Sequence, residues 1–129
     1  MISERRRTGN LGEDLACAFL IARGYSVLAR NFSIARGEID IIAQKGSTIH
    51  FVEVKAVSRE MNLEPGTSTG YRPEELVHTE KVRKIRAVGE FYLVSREMDH
   101  RAQVDVVAVE MEKSSLRAFC RLIEHVESL

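Results

Sequence analysis

The sequence has few cysteines, no long apolar run and no net charge, and each absence excludes a class of protein. Its two cysteines, Cys17 and Cys120, lie in apolar-patterned segments without the spacing of metal ligands. We therefore expect buried free thiols rather than a disulfide framework. No apolar run is long enough to span a bilayer, and none follows the basic N-terminus. These absences predict a cytoplasmic protein without a membrane partner.

Basic and acidic residues balance at 19 each, so the formal net charge is zero. A protein that coats nucleic acid through bulk attraction is therefore not expected, and any such contact must use a local patch. The basic clusters available for this are Arg5–Arg7 and the group Lys81, Arg83, Lys84 and Arg86. Taken alone, runs of this kind are more often a solvated tail or a solvated helix face.

Length and composition predict a single globular domain over residues 1–129, with residues 1–8 as a flexible tail. Apolar residues at helical spacing predict one helix from Gly9 to about Ala22 and another from Pro73 to about Ser95. Short runs of strand-forming residues predict strands over residues 25–32, 38–43, 48–57, 104–109 and 116–122. The expected fold class is α/β, with a central sheet flanked by helices and the order αβββαββ.

A predicted hairpin around Lys45 and Gly46 brings acidic residues together. If its turn is even-numbered and centred between those two residues, Asp40 faces Phe51 and is a diagonal neighbour of Glu53. Diagonal side chains are close enough for two carboxylates to hold one ion. Because side chains alternate along a strand, one face would carry Glu38, Asp40, Phe51, Glu53 and Lys55. The opposite face would carry Ile39, Ile41, Val52 and Val54.

Several carboxylates and a lysine on one face of a sheet are costly when they are unpaired. They become reasonable around Mg²⁺ or Mn²⁺, because hard carboxylate oxygens suit such ions. Lys55 would then orient a water nucleophile or stabilise the transition state. Glu53 and Lys55 are also compatible with an ordinary exposed ion pair. Asp40 is harder to explain in that way, since aspartate is a poor strand former inside an isoleucine run.

Other candidates each have two interpretations. Glu13 follows Asn10 by three residues, which is close to a helix capping box, so it either caps the first helix or joins the site. Asp105 is either a buried carboxylate paired with Arg101 or a remote support of the site. The four histidines show no zinc spacing and are expected to be structural or surface residues, with His50 pointing away from the Asp40 face.

Three motifs resemble the YraN family of uncharacterised bacterial proteins: Gly12-Glu13, the segment 35–42 (ARGEIDII) and the segment 51–56 (FVEVKA). The resemblance extends to residues 103–109 (QVDVVAV) and 123–126 (IEHV), so it covers nearly the whole chain. That family is similar to archaeal Holliday junction resolvases and has the restriction-endonuclease-like fold. The resemblance therefore implies that fold here, with a PD-(D/E)xK active site.

Residue by residue, the resemblance implies catalytic roles for Asp40, Glu53 and Lys55 as the two acids and the lysine of PD-(D/E)xK. Glu13 matches the helical glutamate of resolvase-like members, so the metal ligands would be Asp40, Glu53 and Glu13. The sequence departs from the pattern at Ile39, where the motif name has proline, and at Gln103, where arginine is expected.

The resulting hypothesis is a Mg²⁺- or Mn²⁺-dependent endonuclease that hydrolyses DNA, with branched or structured DNA as one candidate substrate. The long loop from Ser58 to Arg72 would close over the substrate, and phosphates would be contacted by Lys81, Arg83 and Lys84. A non-catalytic nucleic-acid-binding accessory protein is the alternative, and a protein-interaction module is a third. Whether the chain forms a homodimer is left open.

Overall fold

The described residues form two helices and five strands in the order αβββαββ that the sequence predicts. The computed structural model describes residues 4–59, 78–112 and 117–128, with side chains from residue 9 to residue 57 in the first range. In chain order the elements are α1 (Glu4–Ala22), β1 (Ser26–Ile34), β2 (Gly37–Lys45), β3 (Thr48–Arg59), α2 (Thr79–Ser95), β4 (Arg101–Glu112) and β5 (Ala118–Ile123). A short 3₁₀ helix, Val126–Ser128, follows β5. Neither α1 nor α2 is long and apolar enough to cross a membrane.

The strands of the described ranges form one mixed sheet in the order β1-β2-β3-β4-β5. β3 and β4 pair in parallel and the other neighbours pair antiparallel. A parallel pair needs a crossover connection, and α2 lies in that connection. β4 is buried from Gln103 to Glu112, as expected for an inner strand covered on both sides. The predicted α/β class is confirmed, and the architecture is consistent with a restriction-endonuclease-like fold.

Each face of the sheet packs against one helix. The α2 side contains a cluster that includes Phe51, Ile85, Val88 and Val104. The α1 side contains a second cluster that includes Ala16, Leu20, Ile41, Val52 and Val107. Cys17 belongs to this second cluster and is a buried free thiol as predicted, whereas the free thiol Cys120 packs against the cluster and is only half-buried.

Both helices end where the sequence predicts, but neither begins there. α1 starts at Glu4, so residues 4–8, predicted to be a flexible tail, form its first turns. α2 starts at Thr79, because His78 is extended, with φ −108° and ψ 123°; residues 73–77 of the predicted helix lie outside the described residues. β3 continues through Arg59, and the remainder of the predicted loop lies outside the described residues.

The register of the β2–β3 hairpin differs from the prediction by two residues. Its turn consists of Gly46 and Ser47, so Phe51 lies opposite Ile42 and not opposite Asp40. Gly46 has φ +60°, which suits the first central position of a type II′ turn, where glycine avoids steric strain. A register shift of two residues leaves every side chain of β3 on the face of the sheet that was predicted for it, because only an odd shift moves side chains to the opposite face.

Two glycines let the helices approach the sheet closely. A Cβ atom at Gly12 of α1 would overlap the Cβ of Ala56 on β3. A Cβ atom at Gly89 of α2 would overlap the ring of Phe51, on the same strand. β3 is therefore held between two helix faces that have no side chain at the point of contact.

A Gly12→Ala substitution is expected to lower the free energy of unfolding by about 1–3 kcal/mol, because Ala56 Cβ is fixed to the backbone and cannot rotate away. Gly9→Ala in the same helix is the matched control, since no atom lies within 4 Å of its added Cβ. It is expected to stabilise the chain by up to about 1 kcal/mol through helix propensity. Urea unfolding of both variants checks this, and equal effects would show that α1 does not pack so closely.

Candidate active site

Asp40 and Glu53 lie at the point where the pairing of β2 and β3 ends. The last pair of the ladder is Ile41 with Val52, and the two acids are the next residues on their strands. They are therefore opposite each other in the register, and the predicted diagonal relation is wrong. Asp40 Oδ2 accepts a hydrogen bond from the backbone N–H of Val54 at 2.8 Å. In a regular ladder a β2 carbonyl would accept that bond, so the carboxylate is held in the opening between the strands.

A backbone irregularity at Asn31 accompanies this opening. Asn31 has φ +51°, the left-handed region that asparagine tolerates better than most residues. Arg30 before it contacts α1, whereas Phe32 after it packs into the cluster on the α2 side. On β2, Ile39 likewise belongs to the α2 side and Ile41 to the α1 side, so the prediction that they share a face is wrong. Strict alternation fails in both strands, because β1 changes face at Asn31 and β2 changes face at Asp40.

α1 brings Glu13 to the same place. The side-chain amide of Asn31, oriented with its nitrogen toward the acids, donates to Glu13 Oε1 at 3.0 Å and to Glu38 Oε1 at 3.1 Å. Arg30 Nη2 lies 3.7 Å from Glu13 Oε1. Burial raises the pKa of Glu13, and repulsion from Asp40 raises it further. Glu13 is therefore an electrostatic neighbour of Asp40.

The capping interpretation of Glu13 is wrong. α1 begins at Glu4, so Asn10 lies inside the helix and cannot be its N-cap. Gly12 instead permits the close contact of α1 with β3 at Ala56, next to Lys55. That contact places the following residue, Glu13, toward the opening of the hairpin.

Two lysines approach Glu53 from different elements. Lys55 Nζ lies 3.8 Å and Lys81 Nζ 3.9 Å from Glu53 Oε1. These distances exceed hydrogen-bonding range, so the attraction is electrostatic. The Glu53 side chain is 12% exposed, whereas those of Lys55 and Lys81 are 37% and 50% exposed. A half-buried carboxylate thus has two more exposed ammonium groups near it.

The pKa values of both acids are raised. For Asp40 the main cause is burial, opposed by the Val54 N–H bond and by the two lysines. For Glu53 burial again acts first and repulsion from Asp40 adds to it, while Lys81 and Lys55 lower its pKa. Ionisation of the pair is therefore less favourable in the folded chain than in the unfolded chain, and a bound cation would offset this cost.

Not every predicted site residue joins this group. Arg83 is 73% exposed and pairs with Glu80 on its own helix, and Lys84 is exposed. Of the three predicted phosphate-binding residues, Lys81 alone has a described contact with a site carboxylate. The carboxylate oxygens of Glu13, Asp40 and Glu53 are also not all within 4.8 Å of one another. Among the described residues, that condition is met by His50, Asp105 and Glu124.

Sequence reasoning missed a second polar cluster, centred on Asp105. Asp105 Oδ2 lies 2.6 Å from His50 Nδ1, while Oδ1 accepts bonds from Gln103 Nε2 at 2.8 Å and from the His125 backbone N–H at 3.0 Å. The predicted partner Arg101 is exposed and His50 takes its place. The parallel register of β3 and β4 aligns His50 with Gln103, and no local sequence pattern signals that pairing.

The fold and these side chains define an α/β protein whose sheet carries an acidic cluster with a lysine at the open end of a hairpin. The chain belongs to the uncharacterised protein family UPF0102, the YraN family, whose model matches residues 12–109. A UPF0102 protein of Syntrophus aciditrophicus is 37% identical over 90% of this chain and 86% of its own length. One from Flavobacterium psychrophilum is 35% identical over 98% and 95%, and one from Campylobacter fetus is 36% identical over 81% and 85%.

Proposed function

We propose that the chain is a metal-dependent nuclease of the PD-(D/E)xK type that hydrolyses phosphodiester bonds in DNA. The observation that carries the proposal is the convergence of two half-buried carboxylates, Asp40 and Glu53, with Lys55 at the open end of the β2–β3 hairpin. Burial raises the pKa of both acids. A protein that used these residues only for stability would have no reason to retain such an arrangement.

The donor chemistry fits a hard divalent cation. Asp40 and Glu53 would hold Mg²⁺ or Mn²⁺, with Glu13 as a third carboxylate from α1, because these ions prefer oxygen ligands. When bound, such an ion polarises the phosphodiester and lowers the pKa of a coordinated water. Asn31 and Arg30 contribute by orienting Glu13 toward the pair.

The lysines act on the substrate itself. The ammonium group of Lys55 lies 3.8 Å from Glu53 Oε1, where it would hold the attacking water or stabilise negative charge on the phosphate in the transition state. Lys81 approaches Glu53 from α2 and would bind a backbone phosphate of the DNA. The preference for branched DNA rests on the resemblance to Holliday junction resolvases.

A cleavage panel tests this function. Single-stranded, duplex, flap and four-way DNA are incubated with the full chain and Mg²⁺ or Mn²⁺, with and without chelator. We expect cleavage that requires the metal and is lost in Asp40→Asn, whereas Asp99→Asn, an exposed aspartate outside the site, keeps it. Cleavage that persists in chelator, or in Asp40→Asn, would contradict the proposed mechanism.

The same assay separates the alternatives. A non-catalytic accessory protein would bind DNA in a salt-sensitive manner without cleaving it, and neither Asp40→Asn nor chelator would change that binding. A protein-interaction module would show no DNA binding even at low salt. The convergence of the two half-buried acids favours the nuclease, because neither alternative requires Asp40 and Glu53 to share one site with Lys55.

A further inference from the structure

A cavity of about 300 Å³ lies at the start of β3 and β4, away from the hairpin opening. Its lining includes His50 and Gln103, which are partners in the parallel register, and Glu124, which follows β5. Tyr25 also lines it and contacts the His50 ring edge-to-face, with 4.9 Å between ring centroids. The residues proposed for DNA cleavage are not part of this lining.

His50 lines this cavity and has a second ring nitrogen, Nε2, besides the one that contacts Asp105. Its side chain is 6% exposed, and Nδ1 lies 2.6 Å from Asp105 Oδ2. An ionised carboxylate only accepts hydrogen bonds, so Nδ1 carries a proton, and in the neutral ring Nε2 then carries a lone pair. Nε2 has no hydrogen-bond partner among the described residues. A buried acceptor of this kind requires a partner, which the cavity can admit.

Asp105 fixes the orientation of the His50 imidazole through its contact with Nδ1. It is 0% exposed, and its oxygens accept bonds from His50, Gln103 and the His125 backbone. Histidines that bind metals commonly donate their second ring N–H to a carboxylate in this way, which fixes the ring and raises its basicity. The geometry of His50 is therefore that of a metal ligand already oriented by its supporting residue.

A second donor is in reach. One donor atom each from His50, Asp105 and Glu124 lies within 4.8 Å of the other two. Ligands to one ion stand about 2.0–2.2 Å from it, so two of them lie up to roughly 4 Å apart. Small side-chain movements close the remaining difference, and Glu124 is exposed and free to make them.

We propose that His50 and Glu124 bind a divalent transition-metal ion in this cavity, with Asp105 as the residue that positions the imidazole. An imidazole nitrogen beside a carboxylate suits Zn²⁺ and its neighbours better than Mg²⁺. The site is thus distinct in donor chemistry from the all-carboxylate site. Lys45 and Arg23 also line the cavity and would favour an anion in the remaining coordination positions.

Calorimetric titration of the metal-free full chain with Zn²⁺, and separately with Mg²⁺, tests the site. Glu124→Gln is expected to weaken Zn²⁺ binding at least tenfold, a loss on the order of that caused by altered supporting residues in metal sites. Glu80→Gln, an exposed glutamate on α2 across the sheet, and Asp40→Asn should leave this binding unchanged. Zn²⁺ should raise the melting temperature of the wild type and not that of Glu124→Gln.

A direct measurement on the wild type avoids reliance on any variant. Crystals soaked in Zn²⁺ should give an anomalous peak beside His50 and Glu124. The proposal is overturned if Zn²⁺ does not bind, if Glu124→Gln binds it as tightly as the wild type, or if Asp40→Asn abolishes its binding. X-ray absorption that shows sulfur ligands would assign the ion to Cys17 or Cys120 and overturn it as well.

Discussion

A Glu53→Gln substitution is expected to lower DNA cleavage by roughly 10²–10³-fold, the range for loss of one essential electrostatic group in an active site. The same change is expected to make the folded chain more stable. Both effects come from the negative charge of Glu53. The proposed metal binding needs this charge, but its burial and its repulsion from Asp40 destabilise the folded chain. Glutamine keeps the shape of the side chain and removes the charge, so it separates the two requirements.

The gain in stability follows from the direction of the pKa shift. Burial, then repulsion from Asp40, raises the pKa of Glu53 above its ordinary 4.5. Between that value and the raised pKa the folded chain binds more protons than the unfolded chain, so stability falls as pH rises. Above the raised pKa, Glu53 is ionised in the folded chain, and the full free-energy cost of burying its charge lowers stability. Glu53→Gln should then be more stable than the wild type by about 0.5–2 kcal/mol, and the difference should shrink as pH falls toward 4.5.

Urea unfolding in the presence of chelator, repeated across this pH range, measures the difference. The two lysine pairs lost with Glu53 offset little, because both lysines are more than a third exposed. Glu80→Gln is the matched control; its side chain is 70% exposed and its effect should stay within about 0.5 kcal/mol at every pH. If the Glu53→Gln chain is less stable than the wild type at neutral pH, burial of the Glu53 charge does not destabilise the fold.

An Asp105→Ala substitution is expected to lower the free energy of unfolding by about 3–5 kcal/mol, as for the loss of one partner from a buried ionic group. Asp105 is 0% exposed. Its removal leaves His50 Nδ1, Gln103 Nε2 and the His125 N–H without their acceptor. Each unsatisfied buried group adds its own desolvation cost.

Asp105→Asn should cost less than Asp105→Ala. Its amide oxygen still accepts from Gln103 and the His125 backbone, and His50 can change tautomer to accept from the new NH₂ group. Urea unfolding of both variants checks the order, with Asp99→Ala, at an exposed position, as the control within about 0.5 kcal/mol. A cost below about 1 kcal/mol for Asp105→Ala would mean that the cluster around it contributes little to stability.

Local periodicity was sufficient to predict the elements and their order. The apolar spacing along α1 and α2 and the alternating or continuous apolar runs of the strands each depend on residues close in sequence. The starts of the helices were predicted less well. At α2 the helix begins after His78, whose side chain makes no capping bond, so no residue marked that start. At α1 the helix continues through Gly9 to Glu4, so glycine did not mark its beginning.

The hairpin shows where local reasoning stops. Its existence and the even spacing that puts Asp40 with Glu53 follow from the sequence, but the turn centre depends on which residue adopts positive φ, and that residue is Gly46. The face change between Ile39 and Ile41 was missed as well. The sequence offered one sign of this face change, the asparagine Asn31 among strand-forming residues. That Asn31 adopts a left-handed conformation is known only from the backbone angles of the structure.

The sequence by itself determined the fold class, the family and the grouping of Asp40, Glu53 and Lys55, because these depend on short-range pattern and on motifs. Only the tertiary structure decided that Glu13 faces the acids and does not cap its helix, since that depends on how closely α1 packs at Gly12. It alone also decided the partner of Asp105. His50 and Asp105 are 55 residues apart and meet only because β3 and β4 pair in parallel across a connection that contains α2.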